Sequence, residues 1–285
     1  MSTVLLRRSS LGDVVLVGSI TARIQGSVVL MTDPRWMSLG ARLKGVDRVL
    51  PWNAPLPPGR VVDLQGSLRS RWLRRGRPGG TIRKGSIRRR SRLWLGVGPR
   101  RASVPELYGR AAGVEPRPPP WIDLPERARD GLALVPGAAW APKQWHVGRL
   151  GAVGRAWEGP VHVLGGPGEE ALVAEVAAAV PGSVATCEAG FERTLDVLAG
   201  CAVAVAGDTG LMHLAGACGV AVVALFGPTH PDDGFFVYPR GSVVERDLPC
   251  RPCTLHRIEA CPKGHHGCMD ISVDEVWKAV RACAG

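Results

Sequence analysis

Short apolar runs alternate along this chain with longer segments whose apolar residues recur at helical spacing. In the first half, apolar runs at 3–7, 27–31 and 60–64 predict strands, and the segment 11–24 predicts a helix between the first two. Strands that alternate with helices are typical of parallel sheets whose faces are covered by helices. The pattern therefore favours an α/β fold over a helical bundle.

The same alternation continues in the second half of the chain. Strands are predicted at 132–135, 161–164, 202–206 and 220–225, and helices at 169–180 and 211–218. Ser272 and Glu275 have the spacing of a capping box and predict the start of a C-terminal helix. Two α/β units of similar kind follow from these elements.

A proline-rich connector separates the two units. The segment 115–131 contains EPRPPPWIDLP, which is too stiff for a helix and too poor in backbone donors for a central strand. We therefore predict an N-terminal domain over 1–125 and a C-terminal domain over 126–285. The length of 285 residues agrees with this division, since a domain takes roughly 150 residues. A hydrophobic content of 45% supports a sizeable core and excludes wholesale disorder.

One apolar segment, 209–231, is long enough to be compared with a membrane helix. It contains four glycines, His213 and two prolines, and it divides at Gly219 into a helix-like half and a β-branched half. A helix followed by a buried strand fits this pattern better. The N-terminus lacks the features of a secretory signal. We therefore expect a cytoplasmic protein whose eight cysteines remain reduced.

The positive charge of the protein is concentrated in one stretch. Residues 69–101 hold twelve arginines, one lysine and no acidic residue, so this stretch carries +13 while the rest of the chain carries −2. Nucleic acid, an anionic membrane surface and a phosphorylated glycan would all attract it. No nucleic-acid-binding motif accompanies this stretch, so a basic face at a membrane surface is at least as good an interpretation as a nucleic-acid site. A solvated loop is the simpler alternative.

The loop AGDTGLMHLA has the strongest chemical pattern in the chain. A predicted strand ends at residue 206, and Asp208, Thr209 and Gly210 open a helix whose first N–H groups and dipole favour an anion. Asp208 is suited to accept hydrogen bonds from sugar hydroxyls. The simpler alternatives are that Asp208 or Thr209 only caps the helix and that His213 is a satisfied interior histidine.

Three further residues lie just after predicted strands. Lys143 is suited to neutralise a phosphate, although most lysines are simply solvated. Glu169 can bind a ribose hydroxyl or merely favour a helix start. Asp13 forms a capping-box-like pair with Ser10, and it can also act as a general base at a cleft.

Four cysteines near the C-terminus suggest a metal site. Cys250, Cys253, Cys261 and Cys268 lie within nineteen residues, with His256, His265 and His266 nearby. In a reducing compartment this composition is consistent with a structural zinc site, although its spacing is less regular than that of paired C-x2-C knuckles. Buried thiols without a metal are the alternative.

Taken together, these motifs resemble glycosyltransferase family 9, the ADP-heptose:lipopolysaccharide heptosyltransferases. The residues that carry the resemblance are VLLRRSSLGDVVL at 4–16, VVDLQGSLRS at 61–70, PGAAWAPKQW at 136–145, GGPGE at 165–169 and GDTGLMHLAGACGVAVVALFGPTHP at 207–231. The first motif and the DTGLMHLA loop are the most specific of these.

The resemblance implies a GT-B architecture, in which two Rossmann-like domains with parallel sheets face each other across a cleft. It also implies inverting, metal-independent transfer of heptose from ADP-heptose to a lipopolysaccharide inner-core acceptor. Asp13 corresponds to the general base of the family. The donor would be bound by Lys143, Thr209 and Gly210 at the diphosphate, by Asp208 at sugar hydroxyls and by Glu169 at the ribose, with His213 supporting the loop.

The resemblance further implies an anionic glycolipid acceptor, such as lipid A with its inner core, and peripheral contact with the cytoplasmic face of the inner membrane. Arg69, Arg71, Arg74 and Arg75 open the basic stretch, and we expect them to contact that acceptor or surface. We expect no nucleic-acid partner and no catalytic cofactor.

Three alternatives remain at the level of sequence. The first is a family member that uses another nucleotide sugar or a protein acceptor. The second is a basic nucleic-acid-binding protein on a degenerate GT-B fold, which the intact Asp13, Lys143 and DTG loop disfavour. The third is a zinc-stabilised scaffold without activity.

Overall fold

The first half of the chain forms a four-stranded parallel sheet. The computed structural model describes residues 2–82, 102–187, 190–254 and 258–285. Its first sheet contains β1 (Thr3–Leu6), β2 (Val28–Thr32), β3 (Arg48–Pro51) and β4 (Arg60–Asp63), in the order β3-β2-β1-β4 with every pair parallel. The predicted strands at 3–7, 27–31 and 60–64 are therefore confirmed to within a residue.

The helices of this half differ from the prediction in one place. They are α1 (Leu11–Val15), α2 (Gly18–Thr21), α3 (Met37–Ala41), α4 (Leu68–Arg74) and α5 (Val104–Ala112). The prediction of one continuous helix over 11–24 is wrong, because α1 and α2 are separate. The two residues between α1 and α2 keep right-handed backbone angles, but the N–H groups of Val17 and Ser19 bond to carbonyls three residues back rather than four. Gly18 there packs on Trp121, whose Cβ lies 2.7 Å from the position of an added Cβ. Local periodicity does not encode that long-range contact.

The second half of the chain forms a six-stranded parallel sheet. Its strands are β5 (Gly131–Val135), β6 (Val161–Gly165), β7 (Val184–Cys187), β8 (Cys201–Gly207), β9 (Ala221–Phe226) and β10 (Gly241–Glu245), in the order β10-β9-β8-β5-β6-β7. This is the doubly wound order of a Rossmann sheet, which places a ligand crevice at the carboxyl ends of the two central strands. The predicted α/β class with two parallel sheets is confirmed.

The helices of the second half are α6 (Val147–Arg155), α7 (Glu170–Ala178), α8 (Glu192–Ala199), α9 (Gly210–Ala217) and α10 (Val273–Ala284). Three of them, α7, α9 and α10, lie close to their predicted positions, while α6 and α8 were not predicted. The predicted capping box at α10 is present, since the Ser272 hydroxyl accepts from the Glu275 N–H at 3.3 Å and the Glu275 carboxylate accepts from the Ser272 N–H at 2.9 Å.

The apolar segment 209–231 folds as predicted. It forms α9 and β9, and the two are joined through Gly219, whose φ of +74° favours glycine. In the part of the chain that the structure describes, no helix is both long and apolar enough to cross a membrane. The basic stretch predicted at 69–101 is described as far as residue 82, and residues 83–101 lie outside the described ranges.

One apolar core joins the two sheets. Leu5 and Val14 from the first half lie in the same buried cluster as Met212 and Leu214 from the second. Trp121, from the proline-rich connector, belongs to this cluster and is only 1% exposed. Because Val14 lies in α1 and Met212 and Leu214 lie in α9, this core holds those two helices against each other.

Candidate active site

The two halves meet through the first turns of α1 and α9. The Gly12 backbone packs so closely on the His213 ring that an added Cβ would overlap it. An added Cβ on Gly210 would lie 2.6 Å from Leu11 Cδ2. Each helix follows the carboxyl end of a strand beside the point where its sheet reverses winding, β1 in one sheet and β8 in the other. The loops that carry the predicted chemistry are thereby brought together.

Asp13 lies in the first turn of α1 and has three cationic or hydrogen-bonding contacts. Its Oδ2 accepts from the Ser10 N–H at 3.2 Å and from the Ser10 hydroxyl at 3.1 Å, and it forms an ion pair with Arg7. Burial would raise the pKa of this carboxyl group, but the Arg7 charge and the Ser10 hydrogen bonds outweigh burial and hold the pKa below its usual 3.8. Asp13 is therefore ionised at neutral pH, and its side chain remains 20% exposed.

Arg7 is a site residue that the sequence interpretation missed. It is 4% exposed, donates to the Leu64 carbonyl at 2.7 Å, and its guanidinium carbon lies 5.9 Å from the centre of the Tyr108 ring. The Tyr108 hydroxyl donates to the Asp13 carbonyl at 3.2 Å. A charged residue directly after the buried strand TVLL was the available signal, because a buried cation requires a partner.

On the other side of the junction, Lys143 and Asp208 form a buried ion pair. The Lys143 ammonium donates to Asp208 Oδ2 at 2.6 Å, and the Thr229 hydroxyl donates to the same oxygen at 3.0 Å. Burial would raise the pKa of Asp208, but Lys143 and the Thr229 hydrogen bond hold it below the usual 3.8. Lys143 is only 8% exposed, so it is not the solvated surface lysine of the simpler alternative.

Thr209 is the N-cap of α9. Its hydroxyl accepts from the Met212 N–H at 3.2 Å, which satisfies one of the free donors of the first turn. Of the two residues named as capping alternatives, Thr209 fills that role and Asp208 pairs with Lys143 instead. Gly210, the first residue of the helix, lies against Leu11 of the other half.

His213 lies between the two charged pairs. Its Nδ1 is 2.6 Å from the Tyr238 hydroxyl, and the side chain is buried. Burial lowers the pKa of the imidazole below its usual 6.5, although the charges of Asp208 and Asp13 both oppose this. His213 is therefore neutral at pH 7. Tyr238 is a second residue that sequence reasoning missed, since nothing in its local pattern indicates this contact.

Glu169 lies at the end of β6, beside the loop that follows β5. It is the N-cap of α7, and its carboxylate accepts from the Gly166 N–H at 2.8 Å. The same carboxylate packs directly on Gly137, where an added Cβ would overlap it. Gly137 follows β5, so the carboxylate lies at the carboxyl ends of two adjacent parallel strands.

The four predicted surface arginines lie on or directly after α4 and do not behave alike. Arg69, Arg71 and Arg75 are exposed, but Arg74 folds back and donates to the Gly79 carbonyl at 2.9 Å. Within the described residues, none of their hydrogen bonds or ion pairs joins them to the junction of α1 and α9. They form a separate surface rather than part of the same cleft lining.

The four cysteines of the predicted zinc site lie near one another, since the charges of the other three all act on the Cys253 thiol. Within the described ranges, which omit His256, no group of three or more His, Cys, Asp or Glu side chains could hold a metal ion. Cys253 donates to the Cys250 carbonyl at 3.2 Å, Cys250 lies 3.8 Å from His265 Nε2, and Cys268 is buried in the apolar core. Burial, followed by the nearby thiols, raises the pKa of Cys253 to about 11. The zinc prediction, which rests on spacing alone, stays a prediction.

Comparison with known proteins assigns the chain to a family. Residues 120–259 match the model of glycosyltransferase family 9 (heptosyltransferase). Lipopolysaccharide heptosyltransferase 1 of Pseudomonas aeruginosa is 30% identical over 245 residues, which cover 76% of this chain and 65% of that protein. The chain thus spans less than two thirds of that curated relative.

Solved structures share the fold at lower identity. The E. coli ADP-heptose lipopolysaccharide heptosyltransferase II is 19% identical with a TM-score of 0.73, and the match covers 100% of this chain and 98% of that one. The iron-containing dodecameric glycosyltransferase TibC of enterotoxigenic E. coli is 15% identical with a TM-score of 0.65, covering 99% of this chain and 75% of that one. These structures show the fold, and the family model over residues 120–259 together with the curated relative shows that the chain belongs to glycosyltransferase family 9.

Proposed function

We propose that the protein transfers a heptosyl residue from ADP-heptose to a lipopolysaccharide inner-core acceptor, with inversion at the anomeric carbon and without a catalytic metal. One observation carries the proposal. An ionised carboxylate, Asp13, and a buried cation, Lys143, lie at the strand ends of opposite halves, and both influence the charge of His213. A base and an anion site on opposite walls are what glycosyl transfer from a nucleotide sugar requires.

In this proposal the first half supplies the base. The oxygen of the acceptor hydroxyl attacks the anomeric carbon, and Asp13 accepts the proton of that hydroxyl. At the same time the bond from the anomeric carbon to the diphosphate breaks. Arg7 keeps Asp13 ionised before the reaction and fixes its orientation, since Arg7 is itself held by Leu64 and Tyr108. Residues 1–125 would then form the acceptor-binding domain.

The second half would bind the donor. When the donor binds, the Lys143 ammonium leaves Asp208 and donates instead to a phosphate oxygen. Asp208 then accepts hydrogen bonds from sugar hydroxyls. The N-terminus of α9, capped by Thr209, adds N–H groups and its dipole to the stabilisation of the departing diphosphate. Glu169 accepts from the ribose hydroxyls, and residues 126–285 form this nucleotide-sugar domain.

His213 and Gly210 have supporting parts in this arrangement. Neutral His213 packs on Gly12 and holds the loop of α9 against α1 through its bond to Tyr238. Gly210 permits the same contact from the other side, against Leu11. A buried lysine together with a helix N-terminus supplies positive charge at the leaving group, so no step in the proposal requires a metal.

The test is calorimetric titration with ADP and with ADP-heptose, on wild type and on Lys143→Ala and Asp13→Ala. Wild type should bind both ligands, Lys143→Ala should lose most of the affinity, and Asp13→Ala should keep it. Lys278→Ala, an exposed lysine on α10, is the matched control and should bind as wild type does. If wild type binds neither ligand, the ADP-sugar donor is wrong.

Acceptor transfer is tested separately. Wild type should release ADP from ADP-heptose in the presence of a heptose-deficient inner-core glycolipid, and Asp13→Ala should not. If the protein binds ADP-heptose but does not transfer heptose to this glycolipid, the donor assignment stands and the acceptor assignment is wrong.

A further inference from the structure

Helix α4 presents apolar side chains to solvent. Leu68 is 86% exposed and Trp72 is 71% exposed, and the two lie one helical turn apart on the same face. Among the described residues, the next most exposed large hydrophobic side chain is that of Val184, at only 43%. The helix is nevertheless anchored, because Ser70 is buried and Leu73 packs on the core of the first sheet.

The same outward surface is strongly basic. Arg69, Arg71 and Arg75 are exposed beside the apolar pair, and no acidic residue occurs between Asp63 and Glu106 in the sequence. Arg74 is excluded from this surface by its bond to the Gly79 carbonyl. An apolar pair surrounded by cations has the chemistry of a segment that lies in the interface of an anionic bilayer.

We propose that α4 docks the protein on an anionic phospholipid bilayer, with Leu68 and Trp72 entering the interface and Arg69, Arg71 and Arg75 contacting lipid phosphates. Tryptophan prefers the level of the headgroups, where its ring is apolar and its N–H remains hydrated. Nucleic acid would use the arginines and stack on Trp72, but it offers nothing to Leu68. The bilayer accounts for both kinds of side chain.

The position of α4 gives this surface a use, and this part of the inference rests on the proposed function. The helix begins five residues after the carboxyl end of β4 at Asp63. In the connecting loop, the side-chain Oε1 of Gln65 accepts from the Arg8 N–H at 3.0 Å, next to the Arg7–Asp13 pair. A bilayer bound at α4 would therefore hold a membrane-embedded acceptor on the side of the proposed base.

The experiment is cosedimentation of purified full-length protein with vesicles, either phosphatidylcholine alone or phosphatidylcholine with about 30 mol% phosphatidylglycerol. Wild type should bind the anionic vesicles and bind the neutral ones far more weakly. The double variant Leu68→Ser/Trp72→Ser should lose about tenfold or more in partitioning. The triple variant Arg69→Gln/Arg71→Gln/Arg75→Gln should lose about fivefold for each arginine.

Matched controls separate this surface from charge and apolarity in general. Val184→Ser removes an exposed apolar side chain elsewhere, and Arg23→Gln/Arg110→Gln/Arg281→Gln removes the same charge from other exposed positions. Both should bind anionic vesicles nearly as wild type does. All the substituted side chains are exposed, so the melting temperatures should remain close to that of wild type.

Three outcomes would overturn the inference. The first is equal loss in the control variants, which would mean that net charge alone drives binding. The second is unchanged vesicle binding by the Leu68/Trp72 variant. The third is that the arginine variant loses binding to single-stranded RNA but not to vesicles. None of these depends on ADP binding, so failure here leaves the titration of the donor site unaffected.

Discussion

The two aspartates of the candidate site are both paired with a buried cation, but the two cations are held differently. Arg7 contacts Asp13, the Leu64 carbonyl and the Tyr108 ring at once. For the Lys143 ammonium, Asp208 is the one hydrogen-bond acceptor within the described residues. An arginine with several partners is fixed in place, whereas a lysine is a point charge on a flexible stem.

This difference predicts a different role for the cation in each half of the site. A fixed cation beside Asp13 maintains one carboxylate in one charge state and orientation. A cation with a single partner can be transferred to an incoming phosphate at the cost of one ion pair. The first half would thus be preorganised, while the second half would rearrange when its ligand binds.

The largest expected effect is on turnover when the fixed carboxylate is neutralised. Asp13→Asn should lower kcat by about a thousandfold, because a positioned general base contributes of that order. Affinity for ADP should stay within about twofold of wild type, since Asp13 lies in the other half. Steady-state kinetics and calorimetry provide the two readouts. Asp123→Asn, at an exposed aspartate, is the control and should turn over as wild type does. If Asp13→Asn retains turnover, Asp13 is not the base.

Removal of the exchangeable cation should cost stability as well as ADP binding. Lys143→Met leaves Asp208 buried without its cation, which should lower the free energy of unfolding by about 3 kcal/mol. The double variant Lys143→Met/Asp208→Asn should recover most of this loss but none of the ADP affinity. Urea denaturation measures the first quantity. Equal stability of Lys143→Met and wild type would contradict a buried pair.

The contact between the halves should depend on Gly210 for steric reasons. Gly210→Ala should lower the free energy of unfolding by about 1–3 kcal/mol, because the new Cβ meets Leu11. Without that clash, alanine in a helix would stabilise by about 1 kcal/mol.

Leu11→Ala in the same chain should relieve part of the Gly210→Ala loss, so the two substitutions should not be additive in a double-mutant cycle. Gly190→Ala, where an added Cβ meets open space, should be nearly neutral. Additive losses at Gly210 and Leu11 would mean that the two residues are not in contact.

A smaller effect is expected on pH dependence when Arg7 is replaced by lysine. A lysine cannot keep all of Arg7's contacts, so the pKa of Asp13 should rise toward its usual value. Because the base must be ionised, the acid limb of kcat/KM against pH should move to higher pH, with about a tenfold loss of rate at its low-pH end. Arg35→Lys, on an exposed pair with Asp33, should leave the profile unchanged. An unshifted acid limb in Arg7→Lys would limit Arg7 to a structural part.

The smallest effect concerns His213. Its folded pKa is depressed below 6.5, so its contribution to stability is complete above that pH and declines as the pH falls from 6.5 toward the folded pKa. The free energy of unfolding of wild type should fall by about 1 kcal/mol over that window. His213→Gln should reduce the slope, and a residual slope should remain from His162, whose pKa burial also lowers. No change of slope in His213→Gln would mean that the imidazole titrates normally.

Much of the fold was predictable because its signals are local. Apolar runs such as 3–7 and 220–225 are buried on both faces, so they stand out in the sequence, and turn residues separate them from the helices. The single helix predicted over 11–24 was wrong because the backbone hydrogen bonds of Val17 and Ser19 span three residues instead of four, a change that apolar periodicity does not encode. The zinc prediction stays a prediction, since spacing gives no thiol geometry.

The sequence by itself determined the α/β alternation, the strand-to-helix loops and the residue types at each loop, because backbone preference and burial act over a few neighbouring residues. Only the tertiary structure decided which charges pair. Lys143 and Asp208 are 65 residues apart, and Gly210 contacts Leu11 from the other half. It also decided that Leu68 and Trp72 face outward while Leu73 packs inward. Such contacts depend on how sheets and helices are placed in space, and a one-dimensional pattern holds no distance between distant residues.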